Sequence, residues 1–142
     1  MTPTNLEDQL VRDEDEILHA YQDDEGWWTI GVGILIDKRK GGGITQAESR
    51  YLLRNRIADK TSELFQKLPW VAQLDSIRQS ALVNMAFNLG VDGLLKFEHF
   101  LAALQAKDWQ MAAAEMLNSL WVKQVGDRAR RLAEQIRTGE WQ

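Results

Sequence analysis

The strand signals of this chain are confined to one short segment, and the rest of the sequence carries helical patterns. Large apolar residues alternate with small or polar ones only from Trp27 to Ile36. From Pro69 onward no period-two alternation occurs, and helical blocks follow one another. Strands and helices that are segregated in this way predict an α+β or mainly α fold.

A long helix is predicted between these two regions. Thr45 with Glu48 three residues later forms a capping box, so a helix begins there and continues until Pro69, over roughly 20 residues. Shorter helices are then predicted over residues 75–89, 93–104, 108–122 and 127–137. The chain therefore has a small N-terminal lobe with one hairpin, a connecting helix and an all-helical C-terminal lobe.

Length and composition exclude several classes of protein. At 142 residues the chain is sized for one domain. A net charge of −4 argues against nucleic acid binding, which needs a concentrated basic surface. No window approaches the roughly 18 consecutive apolar residues of a membrane span, so we expect no stable membrane insertion. The N-terminus lacks the basic and apolar regions of a secretion signal, and we expect synthesis in the cytoplasm.

Metal and thiol chemistry are not expected. The chain has no cysteine, which removes disulfides, thiol nucleophiles and thiolate metal ligands. Its two histidines, His19 and His99, lie far apart and belong to no cluster with metal-ligand spacing. We therefore expect neither a metal site nor an organic cofactor.

The segment from Arg12 to Gly33 begins with a run of carboxylates, and a helical wheel separates them. We expect a first helix, capped by Asn5 or Thr4, from about Leu6 to His19. Its wheel places Glu14 in the middle of an apolar arc and turns Asp15 and Glu16 away from it. This arc consists of Leu6, Leu10, Val11, Ile17 and Leu18.

Burial on such an arc favours acid catalysis. A carboxylic acid held against apolar surface has a raised pKa and can stay protonated near neutral pH, as a general acid must. Glu14 is therefore the candidate proton donor. The alternative is a structural glutamate that pairs with an interior arginine.

The stretch WWTIGVGILI has two different faces if it forms one strand. One face would carry large apolar side chains and pack on the core. The other would carry Thr29, Gly31 and Gly33, and glycine in a strand often marks the close approach of a ligand. This face predicts a floor for a flat, hydroxyl-rich ring, although a bulge or an edge strand would give the same pattern.

Asp23 lies in the turn that leads into this strand. With Glu14 late on the helix, the two carboxylates can face each other between helix and hairpin. Paired carboxylates in different environments suit glycoside hydrolysis, in which one protonates the leaving oxygen and the other handles water or the sugar. The spacing of Glu14, Asp23 and Thr29 is the most informative constellation in the sequence.

This constellation resembles the phage-type lysozymes, the endolysins of glycoside hydrolase family 24. Their pattern is Glu-Gly, a few residues, Ala-Tyr, one residue, Asp, then Gly-x-x-Thr-Ile-Gly-x-Gly-His. Here it reads Glu14-Asp15, Ala20-Tyr21, Asp23 and then the residues from Gly26 to Ile34. The resemblance continues through ALVNMAFNLG and DRARR to the terminal RTGEW, and so covers nearly the whole chain.

The resemblance implies a lysozyme-like two-lobed fold in a single domain of residues 1–142. The small hairpin lobe is expected at about residues 12–45 and the connecting helix at about 46–68. The helical lobe is expected at about 69–142 and includes the N-terminal helix.

The resemblance also implies roles for individual residues. By position, Glu14 is the catalytic acid, Asp23 the second carboxylate and Thr29 its partner in holding the attacking water. Arg128 matches an arginine that these enzymes place against the catalytic glutamate. The positions that match the sugar cleft are Leu35, Phe87, Phe100 and Glu115, of which the last two depart from the expected residue types.

Two further departures lie close to the motif. Asp15 stands where the family has glycine, and Ile34 stands where it has histidine. Asp15 adds a negative charge beside Glu14, and Ile34 removes a polar structural partner. The segment DKRKGGG is also shorter than the corresponding region of many members, which predicts a compact small lobe.

The implied function is that of a muramidase. It would hydrolyse the β-1,4 bond between N-acetylmuramic acid and N-acetylglucosamine in bacterial peptidoglycan and lyse the host of a bacteriophage. Without a signal, it would reach the wall after a holin permeabilises the membrane, and we expect it to act as a monomer. The alternatives are a lytic transglycosylase, a tail- or toxin-associated module, and a catalytically silent peptidoglycan-binding or interaction protein with this fold.

Overall fold

Helices form most of the chain, and one three-stranded sheet contains its strands. The computed structural model describes residues 4–142, apart from the side chain of Leu6, whose predicted place in the apolar arc lies outside the described part. The chain divides into two units, of which the first ends at Leu52 and the second spans Leu53–Gln142. This architecture confirms the predicted α+β, mainly α fold.

The first unit contains one short helix and an antiparallel sheet. Helix α1 spans Leu6–Glu14, and strands β1, β2 and β3 span Ile17–Gln22, Trp28–Gly31 and Ile34–Leu35. The strands pair in chain order, so the sheet is a meander. Helix α1, which the sequence assigned to the helical lobe, lies within the first unit.

Helix α1 is shorter than predicted. Asn5 caps it as expected by accepting a hydrogen bond from the Asp8 N–H, but the helix ends at Glu14 rather than at His19. Ile17 begins β1 opposite Gly31 of β2. The prediction was wrong because pairing with β2 satisfies the backbone of this segment, and β-branched and aromatic residues suit a strand.

The predicted apolar arc is not formed, because the helix is too short to include all of its residues. Leu18 lies on the strand with 82% of its surface exposed, and Leu10 is 44% exposed. The side chain of Glu14 is exposed as well. Burial against apolar residues is therefore not what distinguishes Glu14 from its acidic neighbours.

The stretch WWTIGVGILI forms two strands and not the one predicted. The chain turns at Gly31, Val32 and Gly33, and Ile30 pairs with Ile34 across the turn. Both glycines have positive φ, 68° and 64°, a conformation that side chains disfavour. The two glycines therefore serve the turn, and the predicted alternation of faces does not extend beyond it.

The long helix begins and ends as predicted. Helix α2 spans Gln46–Lys67, and Pro69 opens a 3-10 turn behind it. The Thr45 N–H donates to Glu48 Oε2 at 2.6 Å, and the Glu48 N–H donates to Thr45 Oγ1 at 3.2 Å. The bond from the Thr45 backbone, followed by its side-chain bond, lowers the pKa of Glu48. The capping box is thereby confirmed.

Six further helices follow in the second unit. They are α3 (Ser76–Leu89), α4 (Val91–Leu95), α5 (Glu98–Gln105), α6 (Trp109–Leu117), α7 (Trp121–Val125) and α8 (Asp127–Thr138). The first and last match the predictions, but the blocks predicted over 93–104 and 108–122 are each divided in two. Neither break contains glycine or proline, so no local signal marks it.

The hydrophobic core belongs to the second unit. Among the side chains that the structure describes, every buried apolar one follows Leu53 in the chain, and Thr29 is the single buried residue before it. The largest fully buried side chains are Phe100, Leu64, Leu82, Met85, Leu94, Leu104, Met116 and Ile136. The first unit therefore depends on hydrogen bonds and polar contacts more than on apolar burial.

Asp15 ends α1 in a strained conformation, and glycine should relieve it. Its φ of 61° and ψ of 155° lie in a region that glycine alone enters readily, at a cost of order 1–3 kcal/mol to other residues. Because glycine also gains freedom in the unfolded chain, we expect Asp15→Gly to raise the free energy of unfolding by about 1 kcal/mol. Urea denaturation measures the change.

The matched control is Asp13→Gly, two residues earlier. Asp13 lies within α1, where glycine is unfavourable, so this variant should lose stability. A loss of stability in Asp15→Gly as well would contradict strain at Asp15.

Candidate active site

The carboxylate of Glu14 lies against the turn between β2 and β3. A Cβ atom placed on Gly33 would lie 3.0 Å from Oε2 and 3.5 Å from Cδ of Glu14. The close approach that the sequence predicted for a ligand is thus made by Glu14 itself. Since the carboxylate is also exposed, it remains accessible to a substrate.

Asp23 organises the loop between β1 and β2. Its Oδ1 accepts hydrogen bonds from the N–H groups of Glu25 (3.0 Å) and Trp27 (2.8 Å). Its own N–H donates to the Trp27 carbonyl at 2.9 Å, and Gly26 takes a φ of 83° to complete the turn. Its Oδ2 accepts no hydrogen bond from residues 4–142. One carboxylate oxygen thus orients the loop and leaves the other available.

Thr29 lies on β2 and is buried, contrary to its predicted place on an open face. Only 4% of its surface is exposed, and Oγ1 donates to the Trp27 carbonyl at 3.0 Å. It pairs with Tyr21 on β1, one step from the Gln22–Trp28 pair that Asp23 follows. Asp23 and Thr29 are therefore near neighbours at one end of β2.

Leu35 of β3 pairs with Thr29 of β2, one position farther from the turn than the pair of Ile30 and Ile34. Directly paired residues of antiparallel strands project from the same face of a sheet. The half-buried Leu35 therefore shares the face of Thr29.

Two of the four candidate residues of the second unit line a groove of about 510 Å³. Phe87, 45% exposed on α3, and Arg128 of α8 both line it. Asn84 orients the arginine, because its Oδ1 accepts from Nε at 2.9 Å and from Nη2 at 2.7 Å. Nη2 also donates to the Asn84 carbonyl at 3.0 Å. That Arg128 faces Glu14 stays a prediction.

Phe100 and Glu115 meet elsewhere in the second unit, at a depression of about 150 Å³. Phe100 is a core residue with 1% of its surface exposed, whereas Glu115 is half-buried. A phenylalanine so deeply buried is placed to pack and not to contact a sugar directly.

Neither a metal site nor a membrane helix is apparent over residues 4–142. No group of three or more His, Asp or Glu side chains there could hold a metal ion. Likewise, none of the described helices combines the length and the apolar character needed to cross a bilayer.

The sequence did not predict the contacts of four residues around these sites, which are Trp27, Asp37, Arg39 and Asn84. Arg39 stacks on Trp27 and pairs with Asp37, although the segment DKRKGGG reads as a charged loop. A weaker signal existed for Asn84, which is a polar residue within the apolar run ALVNMAFNLG. A contact between an arginine and a distant tryptophan, in contrast, has no periodic signature.

A comparison of the sequence with known families identifies the family of the chain. Residues 13–137 match the model described as phage lysozyme, and the match includes Glu14, Asp23, Thr29 and Arg128. The chain belongs to the phage lysozyme family. Its enzyme class follows: it is a lysozyme and therefore a glycoside hydrolase, with peptidoglycan as the substrate of its family.

Individual members of the phage lysozyme family come from phages and from a eukaryote. Probable T4-type lysozyme 1 of Dictyostelium discoideum is 33% identical over 96% of this chain and 95% of its own length. The endolysin of Acyrthosiphon pisum secondary endosymbiont phage 1 is 30% identical over 75% of this chain and 69% of its own length. The pre-baseplate central spike protein Gp5 of Enterobacteria phage T4 is 34% identical over 95% of this chain and 28% of Gp5.

Substitution of Gly33 should displace the carboxylate of Glu14. In Gly33→Ala the new methyl group would meet Oε2 at 3.0 Å, in a backbone with a φ of 64°. Misplacement of a catalytic group by about 1 Å can cost about 10²-fold in rate, and we expect a loss of kcat of that order. Turbidity loss of outer-membrane-permeabilised cells measures it.

Gly41→Ala is the matched control. Gly41 has a φ of 88° and open space around a Cβ, so its substitution brings strain without a collision. It should lose stability and keep its activity. Equal losses of activity in the two variants would show that strain alone is responsible.

Proposed function

We propose that this lysozyme cleaves the β-1,4 bond between N-acetylmuramic acid and N-acetylglucosamine with inversion, using Glu14 as general acid and Asp23 with Thr29 to hold the attacking water. The observation that carries the proposal is the hydrogen bond from Thr29 Oγ1 to the Trp27 carbonyl. It commits the only proton of the hydroxyl, so toward a water Thr29 can act only as an acceptor.

Two acceptors suit the activation of a water. Asp23 Oδ2 accepts no bond from the described residues, and an ionised carboxylate is an acceptor as well. A water placed between Asp23 and Thr29 would donate one proton to each and direct its lone pairs away from both. Such a water is oriented for attack on the anomeric carbon, and Asp23 would take its proton as the new bond forms.

Glu14 supplies the other half of the reaction. A protonated carboxyl would donate its proton to the glycosidic oxygen as the bond to the anomeric carbon breaks. Its accessibility and its position beside Gly33 support this role. The proton that Asp23 gains and the one that Glu14 loses balance, so exchange with solvent restores both groups.

Binding of the sugar chain is proposed for the exposed and half-buried candidates. Leu35 shares the face of Thr29, and Phe87 offers an exposed ring beside Arg128. Glu115 retains enough exposure for a hydrogen bond to a substrate, whereas Phe100 would act through packing.

Host lysis is the biological role that we propose. Similarity to an endolysin supports it. In that role the enzyme is made in the host cytoplasm, reaches the wall through a membrane opened by a holin and acts as a monomer. Similarity to a central spike protein supports a second candidate, a lysozyme module of a phage particle.

Replacement of the proton donor should abolish lysis. Glu14→Gln keeps the shape of the side chain but cannot supply a proton, so we expect activity to fall by about 10² to 10⁴-fold. Turbidity loss of permeabilised cells is the assay, and circular dichroism should show an unchanged fold. Asp15→Asn and Glu16→Gln, as neighbouring carboxylate controls, should keep most activity. More than about a tenth of wild-type activity in Glu14→Gln would exclude it as the acid.

The configuration of the first product tests the role of Thr29. Attack by a held water inverts the β bond, so the new reducing sugar should appear first as the α-anomer. Thr29→Glu, which puts a carboxylate where the water should be, should trap or divert the reaction. Proton NMR of the initial products reads the anomer directly.

Each rival gives a different spectrum. Appearance of the β-anomer first would indicate a covalent intermediate on Asp23 and refute the held water. An anhydro sugar without a reducing end would identify a lytic transglycosylase, and no product at all would support a silent peptidoglycan-binding protein.

A further inference from the structure

One residue connects the two groups that are proposed to hold water. The Trp27 N–H donates to Asp23 Oδ1 at 2.8 Å. The Trp27 carbonyl accepts from the Asp23 N–H at 2.9 Å and from Thr29 Oγ1 at 3.0 Å. Any rotation of the Trp27 backbone would therefore disturb the aspartate carboxylate and the threonine hydroxyl together.

The indole of Trp27 is held by a cation. The Arg39 guanidinium carbon lies 3.3 Å from the centroid of the ring. A guanidinium stacked on an indole gains from the negative face of the ring and from contact between two flat groups. Trp27 is 38% exposed, so this contact covers part of a residue that is not buried.

Asp37 holds the arginine in turn. Arg39 Nε donates to both carboxylate oxygens of Asp37, at 3.1 and 3.0 Å, and the Arg39 N–H donates to Oδ1 at 2.9 Å. The side chain of Asp37 is only 15% exposed, and that of Arg39 is 33% exposed. Partial burial leaves this pair less screened by salt than a fully exposed ion pair.

The glycines of the same loop bring its backbone close to this pair. The Gly42 N–H donates to the Arg39 carbonyl, and the Gly43 N–H donates to the Leu35 carbonyl, both at 2.8 Å. A Cβ on Gly42 would lie 2.0 Å from the Asp37 carbonyl oxygen, so no other residue fits there. The loop that carries Arg39 is thereby attached to β3.

We propose that Arg39 is a positioning residue for catalysis: held by Asp37 and stacked on Trp27, it fixes the peptide groups that orient Asp23 and Thr29. The proposal rests on the proposed function of those two residues. It is argued from the lack of apolar burial in the first unit, where no described apolar side chain is buried. Stacking by Arg39 takes the place of a core contact.

A sugar platform is the competing role for an exposed tryptophan, and kinetics separates the two. A positioning residue affects the attacking water, which is used in the transition state, so its loss lowers kcat. A platform binds the ground state as well, so its loss raises KM. The two parameters therefore have to be measured separately, on soluble peptidoglycan fragments.

The test compares two substitutions of Arg39 with a matched control. Arg39→Gln should lower kcat by about tenfold or more and change KM less than about twofold. Arg39→Lys keeps the charge but loses the flat fork, and should fall between wild type and Arg39→Gln. Lys40→Gln removes one positive charge from the same loop at an exposed site and should leave both parameters unchanged.

A second measurement reports positioning without activity. In Arg39→Gln the hydrogen bond from the Trp27 N–H to Asp23 should loosen, so the Trp27 amide resonance should shift in the 15N–1H spectrum. In Lys40→Gln this resonance should stay where it is in the wild type. Trp27→Leu removes the stacking surface, so adding Arg39→Gln to it should lower kcat no further. Independent, multiplying losses in the double variant would overturn the proposal.

The remaining outcomes separate this proposal from the proposed function. A higher KM with unchanged kcat, or a lower melting temperature with unchanged kcat and an unmoved Trp27 amide, overturns the positioning role. An Asp23→Asn variant as active as the wild type refutes the proposed function instead. In that case the Trp27 amide still decides whether Arg39 orders the loop.

Discussion

The peptide groups of Trp27 are the constraint on which the first unit depends. Its described part has a single buried side chain, that of Thr29, and its sheet has short strands. Order in such a unit must come from directional contacts, since apolar burial constrains only where side chains pack. The Trp27 N–H and carbonyl bind Asp23 and Thr29 at once, which links the turn, the strand and the candidate site.

The second unit achieves order by the opposite means. Its helices enclose a continuous apolar core, and polar residues on their surfaces are held by that scaffold. Asn84 and Arg128 illustrate this, because α3 and α8 each bury one face and present the other at the groove. A rigid core can hold a guanidinium in place with one asparagine, whereas the first unit needs several linked contacts to orient its carboxylate.

The departures from the family motif acquire a physical meaning in this setting. Asp15 occupies a conformation suited to the glycine that the family has there, so the helix ends abruptly behind Glu14 at a cost in strain. Ile34 occupies the histidine position, and its Cδ1 lies 3.7 Å from where a Cβ on Gly31 would be. It thus packs over the hairpin turn with an apolar contact in place of a polar one. Both changes alter local contacts of the first unit and leave the three candidate residues Glu14, Asp23 and Thr29 unchanged.

The sequence by itself determined the features that rest on contacts between near neighbours. The capping box of Thr45 and Glu48 and the cap at Asn5 set the starts of helices through hydrogen bonds within a few residues, so local patterns predict them. The motif that carries Glu14, Asp23 and Thr29 was likewise legible, because its spacing is written in one segment. Only the tertiary structure decided that α1 stops at Glu14, that the glycine-rich stretch folds back on itself and that Arg39 covers Trp27. Each of these depends on pairing or stacking between residues separated along the chain, whose free energy outweighs the local periodicity and leaves no trace in it.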